Sequence, residues 1–411
     1  MAKSTNKNIG IIVAIIVIIL AIVYFNQKQP TTTKVGKKQE IKIGIILGFT
    51  GPIESLTPAM AASAELAFKE ASDSGSLMSG STITPVRADS TCVDSAAAQS
   101  AAEGLIAQGI AAIMGADCSG VTGAIATNVA VPNGVVMISP SATSPGLTDL
   151  ADNGFFFRTA PSDARGGQIL ADITKDRGIN SVAITYTNND YGKGLADVYS
   201  AEVESRGITV TAVESHEDGK ADYSSEVATL AAAGGDAIAV IGYIDQGGKG
   251  IIQASLDSGA FDTFILSDGM IGDALTEAFG DSLNKSFGSL PGSTGKGADV
   301  FTKVAKAAGL DSSGPYTSES YDAGALLVLA IQAGGSADRS SIQKNVMSVA
   351  NAPGTKIYPG ELKKALDLLA EGKEVDYEGA SGVSFTDVGE AEGSFIEKEI
   401  NGGKFEVKKQ R

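Results

Sequence analysis

The sequence has little of what acid–base or metal catalysis requires. Its 411 residues contain one histidine, His216, and two cysteines, Cys92 and Cys118. Two cysteines and a single distant histidine do not make up a ligand set for a transition metal. The histidine lies in the charged stretch HEDGKAD, where we expect a solvated loop residue. We therefore expect neither a metal site nor histidine-based catalysis.

Motifs for catalysis and for cofactor binding are missing as well. The chain has no GxSxG nucleophile turn, and no GxGxxG follows the first predicted strand. Residues 242–250 are rich in glycine, but their spacing does not fit a phosphate-binding loop, and Gly250 stands where Ser or Thr would contact magnesium. We expect a protein that is not an enzyme and that uses no cofactor.

Positive charge is scarce outside the N-terminus. Residues 1–40 hold six lysines and one glutamate, which leaves 26 basic and 47 acidic residues and a net charge of −21 for the remainder. Binding of nucleic acid depends on clustered Lys and Arg side chains that neutralise phosphates. No such cluster follows residue 40, so nucleic acid is not an expected partner.

The N-terminus has the pattern of an export segment. Lys3 and Lys7 precede an uncharged apolar run over residues 9–25, and the polar stretch 26–40 follows without a small-x-small cleavage site. A cleaved signal and a retained membrane anchor both stay open, and either one exports the rest of the chain. In an oxidising compartment, an even number of cysteines favours a disulfide over two buried thiols.

Apolar runs and helical patterns alternate through most of the chain. With 43% hydrophobic and 19% charged residues, the composition is that of a globular protein long enough for two domains. The alternation predicts an α/β fold with two doubly wound parallel sheets. The extended stretch 155–161 separates two series of strands, and we expect the glycine-rich residues 288–297 to be a linker that returns to the first.

Residues 115–147 place two predicted strand ends beside one helix start. The strands cover 110–114 and 135–138, and Asp117 or Ser119 would cap the helix between them. A loop of small hydroxyl residues, SPSATSP, follows the second strand. Because parallel strands end at the same edge of a sheet, free amides and hydroxyls would face one crevice, which suits a carboxylate.

In the second series, three side chains come directly after predicted strands, where open α/β sheets contact ligands: Tyr191, Tyr243 and Asp268.

Six segments together resemble the periplasmic solute-binding proteins of branched-chain and hydrophobic amino-acid ABC transporters, of the leucine-binding type. They are KIGIILGFTGPI (42–53), DSTCVDSAAAQ (89–99), CSGVT (118–122), MISPSAT (137–143), YGKGLA (191–196) and ESYDAGALL (319–327). The resemblance covers residues 40–411, and the six segments are specific in this combination and order.

The resemblance implies two α/β lobes joined by three crossovers, the type I periplasmic binding protein fold, with a ligand held between them. The first lobe would comprise 41–159 and 290–382, and the second 160–289 and 383–411. It also implies a periplasmic location, an ABC permease as partner and a disulfide between Cys92 and Cys118. We expect a monomer.

The family pattern also implies roles for single residues. Ser119 and Thr143 would hold the carboxylate of an amino acid, while the carbonyl of Ser141 and the side chain of Asp268 would accept from its ammonium group. Tyr191 and Tyr243 match aromatic residues of the family that line the cleft from the second lobe.

Three positions depart from that pattern. Leu56 stands where an aromatic residue often lines the side-chain pocket, Asp117 stands where an apolar residue is common, and Asp268 is shorter than the usual glutamate. The α-amino-acid head group is kept, whereas branched, polar and amide side chains all stay open. The alternative function is a membrane-tethered sensor module of the same fold that acts on a membrane signalling partner.

Overall fold

The computed structural model describes residues 38–411; the predicted export segment at residues 9–25 lies outside this part. Two large sheets with helices on their faces organise the described chain, which confirms the predicted α/β class. No helix within residues 38–411 combines the length and the apolar character that a membrane crossing requires.

The first sheet has five parallel strands in the spatial order 2-1-3-4-5. They are β1 (Glu40–Leu47), β2 (Thr82–Asp89), β3 (Ala112–Gly115), β4 (Val136–Ser139) and β5 (Phe156–Arg158). All residues of β3, β4 and β5 are buried, as expected of parallel strands covered on both faces.

Seven helices accompany this sheet. The first three are α1 (Thr57–Asp73), α2 (Ser95–Ala107) and α3 (Ser119–Ile125). The other four, α9–α12, come later in the chain, after the helices of the second sheet, and their ranges are given below. A π-helical turn, Ala126–Ala130, continues α3.

The second sheet has seven strands in the order 14-13-10-9-8-6-7. They are β6 (Ser181–Thr187), β7 (Thr209–His216), β8 (Ala237–Ile241), β9 (Phe264–Leu266) and β10 (Phe287–Pro291), which run parallel, and the antiparallel β13 (Phe395–Asn401) and β14 (Lys404–Gln410). Its helices are α4 (Asp163–Asp176), α5 (Asp190–Ser205), α6 (Ser224–Ala233), α7 (Gly247–Ser258) and α8 (Asp273–Phe279).

The chain then returns to the first sheet. It forms α9 (Lys296–Ala307), α10 (Thr317–Gly334), α11 (Arg339–Ala350) and α12 (Leu362–Ala370), with a small sheet of β11 (Thr355–Ile357) and β12 (Val375–Tyr377). The buried helix α10 packs on α1 and reaches β3 and β4. We call the five-stranded sheet with α1–α3 and α9–α12 the first lobe, and the seven-stranded sheet with α4–α8 the second lobe.

The chain passes between the lobes after β5, after β10 and after β12. In chain order, the first strand of the second sheet, β6, and its last strand, β14, are therefore more than 200 residues apart. The antiparallel pair β13–β14 closes one edge of the sheet beside β10. The domain boundaries given above, at residue resolution, stay predictions.

The expectation that residues 288–297 form a return linker was wrong for residues 288–291, whereas residues 292–295 do connect β10 to α9 of the first lobe. Residues 287–291 form β10, which is buried and pairs with β9 on one side and β13 on the other. A Cβ at Gly288 would lie 2.1 Å from the carbonyl oxygen of Leu266. The glycine permits close approach of two strands rather than a flexible connection.

The expectation for His216 was also wrong. The residue ends β7 and is 1% exposed, with Nδ1 2.8 Å from the hydroxyl oxygen of Thr185 on the neighbouring strand β6. Burial lowers the pKa of the imidazole to about 4, because the charged form loses its hydration. His216 is a neutral core residue of the second lobe.

Candidate ligand-binding site

A cleft between the two lobes brings together most of the residues that the sequence singled out. The cavity that it encloses is small, about 30 Å³. The lining residues are Ile53, Leu56, Met60, Asp117, Cys118, Ser119, Ser141, Tyr191, Tyr243, Asp268, Gly269 and Tyr316. Seven of the eight residues proposed for ligand contact or specificity are among them.

Thr143 is the predicted site residue that does not line the cleft. It is 1% exposed, and its hydroxyl has no hydrogen-bond partner among residues 38–411. The backbone of the next residue, Ser144, donates to Ser119 Oγ at 3.1 Å, so the Thr143 loop lies directly against the cleft wall. The role of Thr143 in ligand binding stays a prediction.

Hydroxyl groups of the first lobe form one wall of the cleft. Ser119 is the first residue of α3, and its oxygen accepts from Ser144, which leaves its proton free to donate. Ser141 donates to the carbonyl oxygen of Asp117 at 3.2 Å and follows the buried end of β4. These two serines offer polar groups that carry no charge.

Asp117 belongs to the same wall, but its carboxylate is engaged by the protein. It accepts from the backbone N–H of Gly48 at 2.5 Å, from Cys118 N–H at 2.9 Å and from the Ser90 hydroxyl at 3.0 Å. The loops after β1, β2 and β3 are thereby tied together. Burial raises the pKa of Asp117, and these hydrogen bonds oppose that rise.

The predicted cap of α3 was wrong for both candidates. Cys118 is the N-cap residue, and no side chain caps the helix; Asp117 instead turns back to the loop at Gly48. Cys118 is held by the disulfide to Cys92, with an S–S distance of 2.00 Å, so the expected bridge is present and joins the loops after β2 and β3.

The second lobe contributes two stacked tyrosines. The rings of Tyr191 and Tyr243 lie 5.2 Å apart between centroids at an interplanar angle of 19°. Tyr191 belongs to the first turn of α5, and its hydroxyl lies 2.6 Å from Asp268 Oδ1 and 2.9 Å from Ser267 Oγ. The aromatic pair forms the wall opposite the serine hydroxyls and directs a phenol to the acidic residue.

Asp268 is the buried carboxylate of the cleft. Its second oxygen accepts a hydrogen bond from the hydroxyl of Tyr316, which comes from the first lobe just before α10. Burial raises the pKa of Asp268, and the hydrogen bonds from Tyr191 and Tyr316 oppose that rise. Burial and the nearby Asp268 charge raise the pKa of both phenols well above 10.0, so they stay donors.

A second buried carboxylate, Asp163, lies behind the cleft at the start of α4. Its Oδ2 has no hydrogen-bond partner within the described residues, and burial together with the charge of Asp268 raises its pKa well above 3.8. Thr143 lies near enough to lower that pKa without reaching hydrogen-bonding geometry. The charge of Arg158, which is paired with Glu390, lowers the pKa of Asp163 in part. The acidic side of the cleft therefore favours a positively charged group.

Sequence reasoning missed four lining residues: Ile53, Met60, Gly269 and Tyr316. Ile53 and Met60 fit an ordinary buried pattern, and a Cβ at Gly269 would lie 2.5 Å from the carbonyl oxygen of Gly242. The φ of Tyr316 is 59°, in the left-handed region that few non-glycine residues adopt, but no pattern in the sequence signals it. No group of His, Cys, Asp and Glu within residues 38–411 could hold a metal ion.

The two lobes and the cleft between them define a class of protein that binds a small solute. A family model described as "Periplasmic binding protein" matches residues 40–361. The chain therefore belongs to the periplasmic binding protein family. Its members are substrate-binding proteins rather than enzymes, and the family implies a location outside the cytoplasm.

Two curated relatives illustrate the similarity. Leu/Ile/Val-binding protein homolog 1 of Brucella melitensis is 30% identical over 311 residues, 74% of this chain and 81% of that protein. The chemotactic signal transduction system substrate-binding protein BasB of Halobacterium salinarum is 28% identical over 281 residues, 66% of this chain and 65% of BasB. For a further relative, the chain spans 56% of its length.

A solved structure shows the same fold. The branched-chain amino acid transporter substrate binding protein LivJ from Streptococcus pneumoniae, in complex with isoleucine, superposes with a TM-score of 0.73 and 24% identity, over 90% of this chain and 98% of LivJ. The expected type I periplasmic binding protein fold is thus confirmed.

Proposed function

We propose that the protein is the extracytoplasmic substrate-binding component of an ABC importer and that it binds an α-amino acid in the cleft. The observation that carries the proposal is the buried carboxylate of Asp268 facing a wall of uncharged hydroxyl groups, Ser119 and Ser141, on the opposite lobe. In a zwitterionic amino acid, the ammonium group would lie at Asp268 and the carboxylate at the hydroxyl groups.

In this proposal Asp268 binds the ammonium group of the ligand, and the Ser141 carbonyl accepts from it as well. The carboxylate is held from the first lobe by Ser119 and Thr143. Charge-assisted hydrogen bonds of this kind are roughly twice as strong as neutral ones. Because Asp268 belongs to the second lobe and Ser119, Ser141 and Thr143 belong to the first, the ligand contacts both lobes. It therefore binds the closed protein better than the open one and shifts the population toward closure.

The walls of the cleft favour a small aliphatic or uncharged side chain. Ile53, Leu56 and Met60 provide apolar surface from the loop after β1 and from α1. Asp117 also lines the cleft, but its oxygens are occupied by Gly48, Ser90 and Cys118, which makes it a poor partner for a cationic side chain. The name of the Brucella relative, a Leu/Ile/Val-binding protein homolog, supports this ligand class.

A sensor is the second candidate function. BasB, which is 28% identical, is named as the substrate-binding protein of a chemotactic signal transduction system. The same ligand-induced closure would then be recognised by a membrane signalling protein instead of a permease. Stimulation of the ATPase activity of the permease in proteoliposomes by the liganded protein would support import and distinguish it from sensing.

The ligand class is tested by thermal unfolding with a panel of L-alanine, L-valine, L-leucine, L-isoleucine, L-threonine and L-glutamine. A ligand that binds only the native state raises the midpoint, by roughly 2.7 kcal/mol of stabilisation at a hundredfold excess over Kd. The deaminated analogue of each hit, a 2-hydroxy acid of the same shape, is the matched control and should give little shift. A panel without any stabilising amino acid would contradict the proposal.

A further inference from the structure

Asp245 of the second lobe makes two reciprocal contacts with the first lobe that do not involve the ligand groups of the cleft. Its backbone N–H donates to the carbonyl oxygen of Pro52 at 2.9 Å, and its carboxylate accepts from the backbone N–H of Ser55 at 2.8 Å. Asp245 follows β8 by four positions and lies two residues after Tyr243. It therefore extends the cleft wall to the loop that faces it.

The loop that Asp245 contacts leads into α1. This helix has no side-chain cap and no acidic residue in its first turn, and Leu56 is its N-cap residue. The unpaired N–H groups and the macrodipole at a helix start favour a negative charge nearby. The carboxylate of Asp245 supplies that charge from the opposite lobe, and it does so only when the lobes are closed.

The same loop carries two apolar residues of the cleft, Ile53 and Leu56, joined by a hydrogen bond from Leu56 N–H to the Ile53 carbonyl at 2.9 Å. Leu56 also meets the second lobe: a Cβ at Gly272 would lie 2.9 Å from Leu56 Cδ2 and 2.9 Å from Ile244 Cδ1. The apolar wall that would contact a ligand side chain therefore lies against the second lobe at Leu56, next to the contact that Asp245 makes.

We propose that Asp245 is a positioning residue that latches the closed cleft and holds Ile53 and Leu56 in place for the ligand side chain. This inference rests on the proposed amino-acid site. The latch adds binding free energy without touching the ligand, because part of the closed state's stability comes from the protein's own hydrogen bonds. It affects ligands with larger side chains most, since they contact the wall that it positions.

The test compares Asp245→Ala and Asp245→Asn with wild type in calorimetric titrations with L-isoleucine and L-alanine. Asp245→Ala should weaken isoleucine binding by about two- to tenfold, the size expected for one hydrogen bond at a largely exposed site, and should weaken alanine binding less. Asp245→Asn keeps an oxygen for Ser55 N–H and should recover most of the affinity. Glu277→Ala, which removes an exposed carboxylate from α8, is the control and should bind as wild type.

Small-angle scattering of the ligand-free proteins separates this inference from the proposed function. The latch acts without ligand, so Asp245→Ala should have a larger radius of gyration than wild type and Glu277→Ala should not. If wild type binds neither amino acid, the proposed ligand class fails and scattering alone decides on the latch. If wild type binds an amino acid, equal affinities of Asp245→Ala and wild type would overturn the latch. If wild type binds neither amino acid, equal radii of gyration of the two proteins would overturn it.

Discussion

The hydroxyl of Tyr316 in the first lobe donates a hydrogen bond to the carboxylate of Asp268 in the second lobe. Tyr191 donates to the other oxygen of the same carboxylate at 2.6 Å from within the second lobe. Each oxygen keeps a further lone pair for a ligand. The acidic group proposed to bind the ammonium is therefore oriented by both lobes, and its geometry is complete only in the closed protein.

Tyr316→Phe should weaken binding of an amino-acid ligand by about five- to tenfold, because one hydrogen bond to a buried charge is lost while the ring still fills its place. Titration calorimetry with L-isoleucine measures the change. Tyr358→Phe is the matched control, since the ring of Tyr358 lies 3.7 Å from Lys296 Nζ on the first lobe and does not line the cleft. Unchanged affinity in Tyr316→Phe would show that the contact between the lobes does not support the site.

Ligand binding should weaken as the pH falls. Burial raises the pKa of Asp268, and only its ionised form can pair with an ammonium group. The affinity is fully present above the raised pKa and falls by up to about tenfold per pH unit below it, because a proton then competes with the ligand. Titrations with L-isoleucine between pH 8 and pH 4 measure this slope. A flat profile over that range would argue against an ionised Asp268 in the complex.

Glu319 is a buried residue of α10 whose backbone carbonyl accepts from the hydroxyl of Thr159 at 2.8 Å, next to the first crossover between the lobes. Burial raises the pKa of its carboxyl from 4.5 to about 8. Well below pH 4.5 the Glu319 carboxyl is neutral in both the folded and the unfolded chain, so it does not affect the free energy of unfolding. Between pH 4.5 and 8 only the unfolded chain ionises, and the free energy of unfolding falls as the pH rises.

The Glu319→Gln variant cannot ionise and should therefore gain stability over wild type as the pH rises, by roughly 3–5 kcal/mol at pH 8.5 relative to pH 4.5. Urea unfolding at these two pH values measures the difference. Glu103→Gln, on the exposed side of α2, should show no such trend. Equal pH dependence in Glu319→Gln and wild type would mean that Glu319 does not titrate as a buried group.

Reduction of the disulfide should destabilise the protein and loosen the first-lobe wall of the cleft. Cys92 and Cys118 are 26 residues apart, a separation for which closing the loop is worth about 3.5 kcal/mol of unfolded-state entropy. Denaturant unfolding with and without reductant measures the loss. The Cys92→Ser/Cys118→Ser variant, insensitive to reductant, is the control; an oxidised wild type no more stable than this variant would contradict the expectation.

Much of the fold could be predicted because buried parallel strands leave continuous apolar runs, as in the VMIS of β4 and the AIAVI of β8. The strand β10 could not be predicted, because its residues Gly288 and Pro291 are of types that are common in turns. Only the close approach of Leu266 on β9 explains why Gly288 is a glycine. The burial of His216 could not be predicted either, because its sequence neighbours are charged. Its hydrogen-bond partner in the core is the hydroxyl of Thr185, 31 residues earlier in the chain.

The candidate site was predictable where it depends on strand ends, which is why Tyr191, Tyr243 and Asp268 lie together in the cleft. Tyr316 was not predictable, because it reaches Asp268 from the other lobe, and its place depends on how α10 packs. The state of Asp117 was likewise invisible in the sequence: its carboxylate is engaged by Gly48, 69 residues away.

The central claim is that Asp268 binds the ammonium group of an amino acid held between the lobes. It is tested most directly by titration calorimetry of wild type and Asp268→Asn with the amino acid that stabilises wild type most. The account predicts at least a hundredfold loss of affinity in Asp268→Asn, since a buried ammonium group would lose its counter-ion, with unchanged thermal stability of the ligand-free protein. Equal affinity for both proteins would contradict it.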